Sequence, residues 1–169
     1  MTNTDNIDQS EREVKITIGN KTYIKGNLCI PPEPKGIVLF AHGSGSSRFI
    51  SRNRYVAGVL QQGGLATLLI DLLAEEEEQI DLVTKRLRFD IDLLTQRVIM
   101  ATKWLLENSE THKLKIGCFG ASTGASAALS AAADLNTIIT AVVSRGGRPD
   151  LAEDKLLRVM APTLLIVGG

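Results

Sequence analysis

Aromatic side chains are scarce in this sequence, since Phe, Tyr and Trp together make up 4% of its 169 residues. Proteins that bind single-stranded nucleic acid stack bases on such rings, so the composition argues against that class. The sequence also has no excess of positive or negative charge, because it contains 19 basic and 19 acidic residues, and the basic residues form no block. We therefore expect neither nucleic acid nor an anionic membrane surface as a partner.

Long hydrophobic runs are also absent. The longest, such as residues 36–41 and 163–167, have the length of a strand and cannot span a bilayer. Residues 1–13 are polar and acidic and lack the basic-then-apolar pattern of a signal peptide. These features predict a cytoplasmic protein with a disordered tail at residues 1–12 and no transmembrane segment.

Cysteine is rare as well, with only Cys29 and Cys118, each in an apolar, strand-like run. Two buried free thiols in a reducing cytosol are expected, although the sequence leaves a disulfide open. The acidic run at residues 75–78 is interpreted as a solvated loop, because a metal site would need converging ligands. No metal site is predicted.

The sequence does contain a regular succession of strand-like and helix-like segments, over a length that suits one domain, residues 1–169. Residues 14–18 and 23–30 alternate apolar and polar side chains, which predicts an antiparallel hairpin. From residue 36 onward, strands alternate with helices, the pattern of a parallel sheet covered on both faces. The predicted strands are 37–41, 66–70, 114–119, 138–143 and 163–167, and the predicted helices lie near 53–62, 82–108 and 125–133. In the long helix the buried stripe should comprise Ile91, Leu94, Val98, Ala101 and Leu105.

Ser122 stands at the centre of Gly120-Ala121-Ser122-Thr123-Gly124, between an apolar run and a run of small residues. This is the G-x-S-x-G nucleophile elbow in its strand–turn–helix context. The serine is forced into a strained backbone conformation, so the flanking glycines must have almost no side chain. The helix N-terminus then favours negative charge that develops beside the serine. The competing interpretation is a tight turn whose serine caps the helix.

A second motif, His42-Gly43-Ser44-Gly45, follows the first parallel strand. Together with the hairpin, the elbow and the runs 143–151 and 161–169, it resembles the α/β-hydrolase superfamily, in particular its dienelactone-hydrolase-like group. The resemblance extends from about residue 36 onward. It implies an α/β-hydrolase fold, with a mostly parallel sheet, an antiparallel N-terminal hairpin and helices on both faces. It also implies a serine hydrolase acting on a small-molecule ester or lactone through an acyl-enzyme, without a metal or organic cofactor.

The same resemblance assigns roles to individual residues. Ser122 is the nucleophile, and the backbone amides of Thr123 and Ser44 are the expected oxyanion donors. Gly43 and Gly45 let the loop approach a substrate closely. The alternative for this loop is a flexible or phosphate-cradling turn. His42 matches the structural histidine of the family rather than its general base.

The family order is serine, acid, histidine, yet no histidine follows Ser122 in this sequence. We therefore expect a chain truncated at its C-terminus, with the last strand and helix of the fold missing along with the acid and the base. Asp150 is a candidate for a displaced acid, or else a turn residue or helix cap beside Pro149. His112 precedes the elbow strand, opposite the edge where ligands gather, and is interpreted as solvated.

Two surface expectations follow. Without a covering strand, residues 163–167 form an exposed hydrophobic edge, so the chain should aggregate, form a homo-oligomer along that edge or cover it with another segment. Arg48 and Arg145 should lie near the carboxyl edge of the sheet, where either could bind a carboxylate or phosphate of the substrate. A purely structural role is the equal alternative for both arginines.

Two other functions remain open. The missing histidine favours a non-catalytic hydrolase remnant or a binding protein. The spacing of Gly117, Gly120 and Gly124 is that of a glycine-rich strand-to-helix turn, which makes nucleotide binding another possible function. It departs from the dinucleotide fingerprint, however, and no Walker lysine follows it.

Overall fold

The structure, a computed structural model, describes residues 11–168. The strands are β1 (Glu11–Thr17), β2 (Tyr23–Cys29), β3 (Ile37–Ala41), β4 (Ala66–Ile70), β5 (Ile116–Ala121), β6 (Ile139–Arg145) and β7 (Thr163–Ile166). The helices are α1 (Ser51–Gln62), α2 (Glu75–Thr84), α3 (Ile91–Glu107) and α4 (Thr123–Leu135), with 3-10 segments at Leu87–Phe89 and Pro149–Arg158. The strands form one sheet in the order β1-β2-β4-β3-β5-β6-β7, in which β2 pairs antiparallel with β1 and β4 and all other pairs are parallel. The predicted architecture is confirmed.

The N-terminal hairpin begins earlier than the sequence suggested. Glu11 already pairs with Cys29, and its carboxylate accepts hydrogen bonds from Arg54 at 3.0 Å and from Asn27 at 2.7 Å. The prediction of a disordered tail through residue 12 is therefore wrong for Glu11 and Arg12. The remainder of that prediction, residues 1–10, lies outside the described residues.

The predicted long helix 82–108 is wrong, because the chain forms two helices there. Helix α2 ends at Thr84, where Lys85 adopts a left-handed conformation with φ 53°. Helix α3 then begins after Asp90, whose side chain accepts a hydrogen bond from the Leu93 amide at 3.0 Å. The acidic residues 75–78 form the first turn of α2 rather than a loop, a position where the helix dipole favours carboxylates.

Alternate residues of the central strands point to opposite faces of the sheet. On one face Leu39 packs in the main core with Val98 of α3 and Ala128 of α4. On the other face Phe40 and Phe119 pack with Ala57 of α1, and the two rings lie 5.0 Å apart. Helices therefore cover both faces, as predicted. The predicted stripe of α3 is confirmed at its buried members, Leu94, Val98, Ala101 and Leu105.

The cysteines lie on separate strands. Cys29 of β2 and Cys118 of β5 are buried and form no disulfide within residues 11–168, and β4 and β3 lie between their strands. Three strand spacings of about 4.8 Å put them roughly 14 Å apart, beyond the reach of a disulfide. The expectation of two buried cysteines outside any disulfide is confirmed.

Strand β7 forms one edge of the sheet and is exposed along its length. Leu164, Leu165 and Ile166 are 57%, 54% and 44% exposed. The apolar edge predicted at residues 163–167 is therefore present in the described structure. In residues 11–168, no helix combines the length and apolar character that crossing a membrane requires.

Candidate active site

Ser122 occupies the turn between β5 and α4 with φ 52° and ψ −123°, a conformation that side-chain-bearing residues rarely adopt. Its carbonyl oxygen accepts hydrogen bonds from the Ala125 amide at 3.1 Å and the Arg148 amide at 3.3 Å. Helix α4 begins at the next residue, Thr123. Because surrounding contacts hold the strained backbone, the hydroxyl stands at the carboxyl edge of the sheet, as the elbow motif predicts.

Close packing explains the two motif glycines. A side chain at Gly120 would overlap the backbone of Ala125, and one at Gly124 would overlap the carbonyl groups of Ala41 and His42. Helix α4 can therefore approach β3 and β5 only because these positions lack a Cβ atom. Packing at the elbow thus accounts for Gly120 and Gly124, two of the three glycines that suggested nucleotide binding.

The loop that follows β3 lies directly against the serine. A Cβ atom built on Gly43 would stand 3.1 Å from Ser122 Cβ and 3.8 Å from Ser122 Oγ. The next residues turn sharply, since the Ser46 amide donates to the Gly43 carbonyl at 3.2 Å and Gly45 has φ +70°. The amides of Ser44 and Thr123 donate to no group within residues 11–168, so both are free to bind an anionic oxygen.

His42 is buried, and both of its ring nitrogens are engaged. Nε2 accepts a hydrogen bond from the Leu72 amide at 3.2 Å, and Nδ1 lies 2.8 Å from the Gly43 carbonyl oxygen, to which it donates. Burial lowers the pKa of the ring below its usual value of 6.5, which favours the neutral form. The ring therefore ties the β3 loop to the end of β4 and has no free nitrogen for Ser122.

No other group in the described residues serves Ser122 as a base. His112 is exposed at the opposite end of β5, about 20 Å away if each residue of the strand rises about 3.3 Å, and its Nδ1 lies 3.0 Å from the Ser109 carbonyl. The Ser122 hydroxyl makes no hydrogen bond within residues 11–168. Burial raises the pKa of the Cys118 thiol to about 12, which rules it out as a nucleophile at neutral pH.

A cleft of about 160 Å³ opens beside the elbow. Its walls include the loop at 42–46, the segment 71–73 that follows β4, and Leu82, Arg88, Leu94 and Thr123. This volume lies below the usual range for drug-sized ligands, so the cleft suits a small substrate group. In residues 11–168, no cluster of acidic, histidine or cysteine side chains is arranged to hold a metal ion.

Sequence reasoning missed Arg88 and Asp81, which meet at the wall of this cleft. Arg88 Nε donates to Asp81 Oδ2 at 2.6 Å, and a Cβ atom on Gly45 would stand 2.9 Å from an Nη atom of Arg88. Burial by itself would raise the pKa of Asp81, but hydrogen bonds from Arg88 outweigh it and lower that pKa. Nothing local marks Arg88, because it reaches the loop only after the left-handed turn at Lys85.

Arg48, a candidate for substrate binding, is buried and connects the loop after β3 to β1, β2 and the residue that follows β4 through hydrogen bonds. It is 6% exposed, its Nε donates to Asn27 at 2.7 Å, and its Nη atoms donate to Asp71 and Glu13. Its own amide also donates to Asp71, at 2.9 Å. Every nitrogen of the guanidinium donates within the protein, which favours the structural one of the two roles that the sequence left open.

Arg145 and Asp150 lie away from the cleft. An Nη atom of Arg145 donates to Asn53 at 3.1 Å, and the guanidinium lies 5.6 Å from the centre of the Phe119 ring. Asp150 is exposed and paired with Arg148 at 2.7 Å, which lowers the pKa of the carboxyl. This exposed ion pair favours a surface role for Asp150, and its use as a displaced acid stays a prediction.

No protein-family model matches the chain. A crystal structure of a dienelactone hydrolase from Anabaena variabilis is 64% identical, with a TM-score of 0.91 over 94% of this chain and 73% of that one. The esterase Pf2001 of Pyrococcus furiosus matches with a TM-score of 0.73 at 18% identity, over 94% of this chain and 70% of its own. That second likeness shows the fold alone.

Two curated proteins of Mycobacterium tuberculosis, from strains CDC 1551 / Oshkosh and ATCC 25618 / H37Rv, are each 56% identical over 159 residues. Both carry the name "Putative phosphoribosyl transferase". The match covers 94% of this chain and 35% of theirs. The chain thus spans about a third of the length of the curated relatives it matches.

Proposed function

This chain belongs to the dienelactone hydrolase family of α/β-hydrolases, and we propose that it carries the nucleophile and oxyanion hole of a serine hydrolase acting on an ester or lactone. One observation carries the proposal. The strained Ser122, whose hydroxyl is unpaired within residues 11–168, lies against Gly43, and the neighbouring residues with unpaired amides, Ser44 and Thr123, line the cleft. This is the arrangement that acyl transfer needs.

In the proposed reaction Ser122 Oγ attacks the acyl carbon, and the electron pair of the carbonyl π bond moves onto its oxygen. The amides of Ser44 and Thr123 donate to that oxyanion, supported by the N-terminus of α4. A general base takes the Ser122 proton and returns it to the alcohol oxygen as the intermediate collapses to an acyl-enzyme. Water then attacks the acyl-enzyme, which releases the acid and restores the proton on Ser122. Loss of one oxyanion donor typically costs about 3 kcal/mol of transition-state stabilisation.

The general base comes from outside these 169 residues in this proposal. The sequence contains two histidines, of which His42 is occupied by the Leu72 amide and the Gly43 carbonyl, and His112 lies at the far end of β5. A base and its orienting acid must therefore be supplied by another segment or another chain. Without a triad member, only ~10³- to 10⁴-fold catalysis over water remains from the oxyanion hole and binding.

The substrate class rests on the similar structure from Anabaena variabilis, which is a dienelactone hydrolase. The apolar side chains of Leu82 and Leu94 and the small volume of the cleft suit a compact acyl group. The name phosphoribosyl transferase belongs to proteins of which this chain covers 35%, and the elbow glycines are explained by packing. We therefore propose no nucleotide substrate for this domain.

The test is phosphonylation of Ser122 by a fluorophosphonate probe, followed by intact mass and peptide mapping, with and without added imidazole. We expect slow labelling that imidazole accelerates, because the free base replaces the missing histidine. Ser122→Ala should remain unlabelled under both conditions. If Ser122 in the folded chain stays unmodified even with imidazole, the hydrolase proposal fails.

The alternative function is a non-catalytic protein that uses the same cleft for binding, and the occupied His42 is the observation that favours it. The two proposals differ in what imidazole does. A binding protein would hold an ester intact, with no release of alcohol beyond that of Ser122→Ala under the same imidazole concentration. Release that depends on Ser122 would exclude the alternative.

A further inference from the structure

Thr123 has a buried hydroxyl for which the fold provides no partner. The residue is 3% exposed and lines the cleft, and its Oγ1 makes no hydrogen bond within residues 11–168. Buried hydroxyl groups are nearly always hydrogen-bonded, because leaving one unpaired is unfavourable. Valine would fill the same space without that penalty, so packing alone does not explain a threonine here.

The hydroxyl belongs to the same residue as one of the two proposed oxyanion donors. Bond lengths near 1.5 Å put a threonine Oγ1 about 3 to 3.6 Å from its own backbone nitrogen. An oxygen atom bound at the Thr123 amide is therefore within reach of the Thr123 hydroxyl as well. Across the cleft Ser46, in the turn that presents Ser44, has a second buried hydroxyl without a partner in the described residues.

We infer that the Thr123 hydroxyl donates a third hydrogen bond to the oxyanion formed at Ser122, beside the backbone amides of Thr123 and Ser44. The inference rests on the proposed hydrolase function and deepens it. As Ser122 Oγ bonds to the acyl carbon, the carbonyl π pair moves onto oxygen, and the Ser122 proton passes to the external base. The extra negative charge on that oxygen makes the Thr123 hydrogen bond stronger in the transition state than in the bound ester.

Phenylboronic acid tests this without turnover. Its boron bonds to Ser122 Oγ, the serine proton passes to solvent, and the product is a tetrahedral boronate anion with one of its two B–OH groups at the oxyanion position. Its affinity is measured by calorimetry, and boron-11 NMR reports the tetrahedral state. We compare the unmodified chain with Thr123→Val, which keeps the shape and the amide, and Thr123→Ser, which keeps the hydroxyl. Ser122→Ala controls for binding elsewhere.

We expect Thr123→Val to weaken the adduct by about 10- to 100-fold, the range of a hydrogen bond to a charged group. Thr123→Ser should restore the affinity to within a few-fold of the unmodified chain. Thermal unfolding of Thr123→Val should show no loss of stability, since the hydroxyl has no partner within the fold; a merely structural hydroxyl would lower the midpoint instead.

The failures are distinguishable. If a Ser122-dependent adduct forms equally well in Thr123→Val, the third donor is excluded while the hydrolase proposal stands. If Thr123→Val loses affinity and stability together and Thr123→Ser rescues neither, the hydroxyl has a structural role and the inference is overturned. If no adduct depends on Ser122, the hydrolase proposal and this inference both fail.

Discussion

The loop after β3, on one side of Ser122, is fixed by buried hydrogen bonds, whereas the residues around β7, on the other side, are exposed. On the β3–β4 side, His42 and Arg48 are buried and hydrogen-bonded, and they fix the loop that carries Ser44. On the β6–β7 side, Asp150 forms an exposed pair with Arg148, and the residues of β7 are exposed at the sheet edge. In the proposed mechanism, the residues that would bind the oxyanion are thus held in place by buried hydrogen bonds, whereas the described residues do not supply the acid and the base.

The closest packing on the ordered side should be the least tolerant of change. Gly124→Ala should destabilise the fold by about 4 kcal/mol or more, because its Cβ overlaps the Ala41 and His42 carbonyls. Urea unfolding measures this. Gly58→Ala in α1 is the matched control, since its Cβ meets nothing within 4 Å, and it should be stabilising by about 0.5 to 1 kcal/mol. Equal stabilities of the two variants would contradict the packing argument.

Removing the buried arginine should have the next largest effect. Arg48→Met leaves Asp71 and Glu13 without their partner and should cost about 3 kcal/mol, less if water reaches the half-buried carboxylates. The unfolding midpoint in denaturant measures the loss. Arg148→Met, at the exposed pair on the other side, should leave the midpoint unchanged. A similar loss in both variants would remove the distinction between the two sides.

The buried His42 should make stability depend on pH. Because burial lowers its pKa in the folded state, the unfolded chain binds the proton more readily below the usual value of 6.5. Stability is therefore full above that value and falls as pH decreases through 6.5 toward the lower folded pKa. His42→Gln should flatten this slope in unfolding measurements from pH 8 to 5, and His112→Gln should keep it. An unchanged slope in His42→Gln would assign the effect to other groups.

On the exposed side we propose that β7 mediates self-association along its apolar edge. Light scattering should show concentration-dependent oligomers, and Leu165→Lys should shift them toward monomer. Ile80→Lys, at a 56% exposed position on α2, is the control for added charge and should leave association unchanged. A monomer at all concentrations in the unmodified chain would exclude the edge as an interface.

The smallest effect is expected at Asp150. Asp150→Asn removes one partner of a solvent-exposed pair and should change neither the rate of Ser122 phosphonylation nor its pH profile. Kinetic labelling between pH 5 and 9 tests this. A marked fall in rate would restore Asp150 as a displaced acid and place chemistry on the exposed side.

Local patterns predicted the elements whose cause is local. The elbow was recognisable because a strand, two glycines and a run of small residues are adjacent in sequence, and residues 37–41 and 66–70 form β3 and β4 with the predicted bounds. The break between α2 and α3 was missed because apolar residues continue across it. Only the left-handed Lys85 and the Asp90 cap, weak signals in a sequence, end one helix and begin the next.

The sequence by itself determined the sheet, the hairpin, the strained serine and the exposed apolar strand, because periodicity and glycine spacing act over a few residues. Only the tertiary structure decided that Arg48 is buried beside Asp71 and Glu13, that Arg88 lines the cleft and that the Thr123 hydroxyl has no partner within residues 11–168. Arg48 meets residues 23 and 35 positions away. Such pairings depend on how strands and loops meet in space, and they have no period that a sequence pattern records.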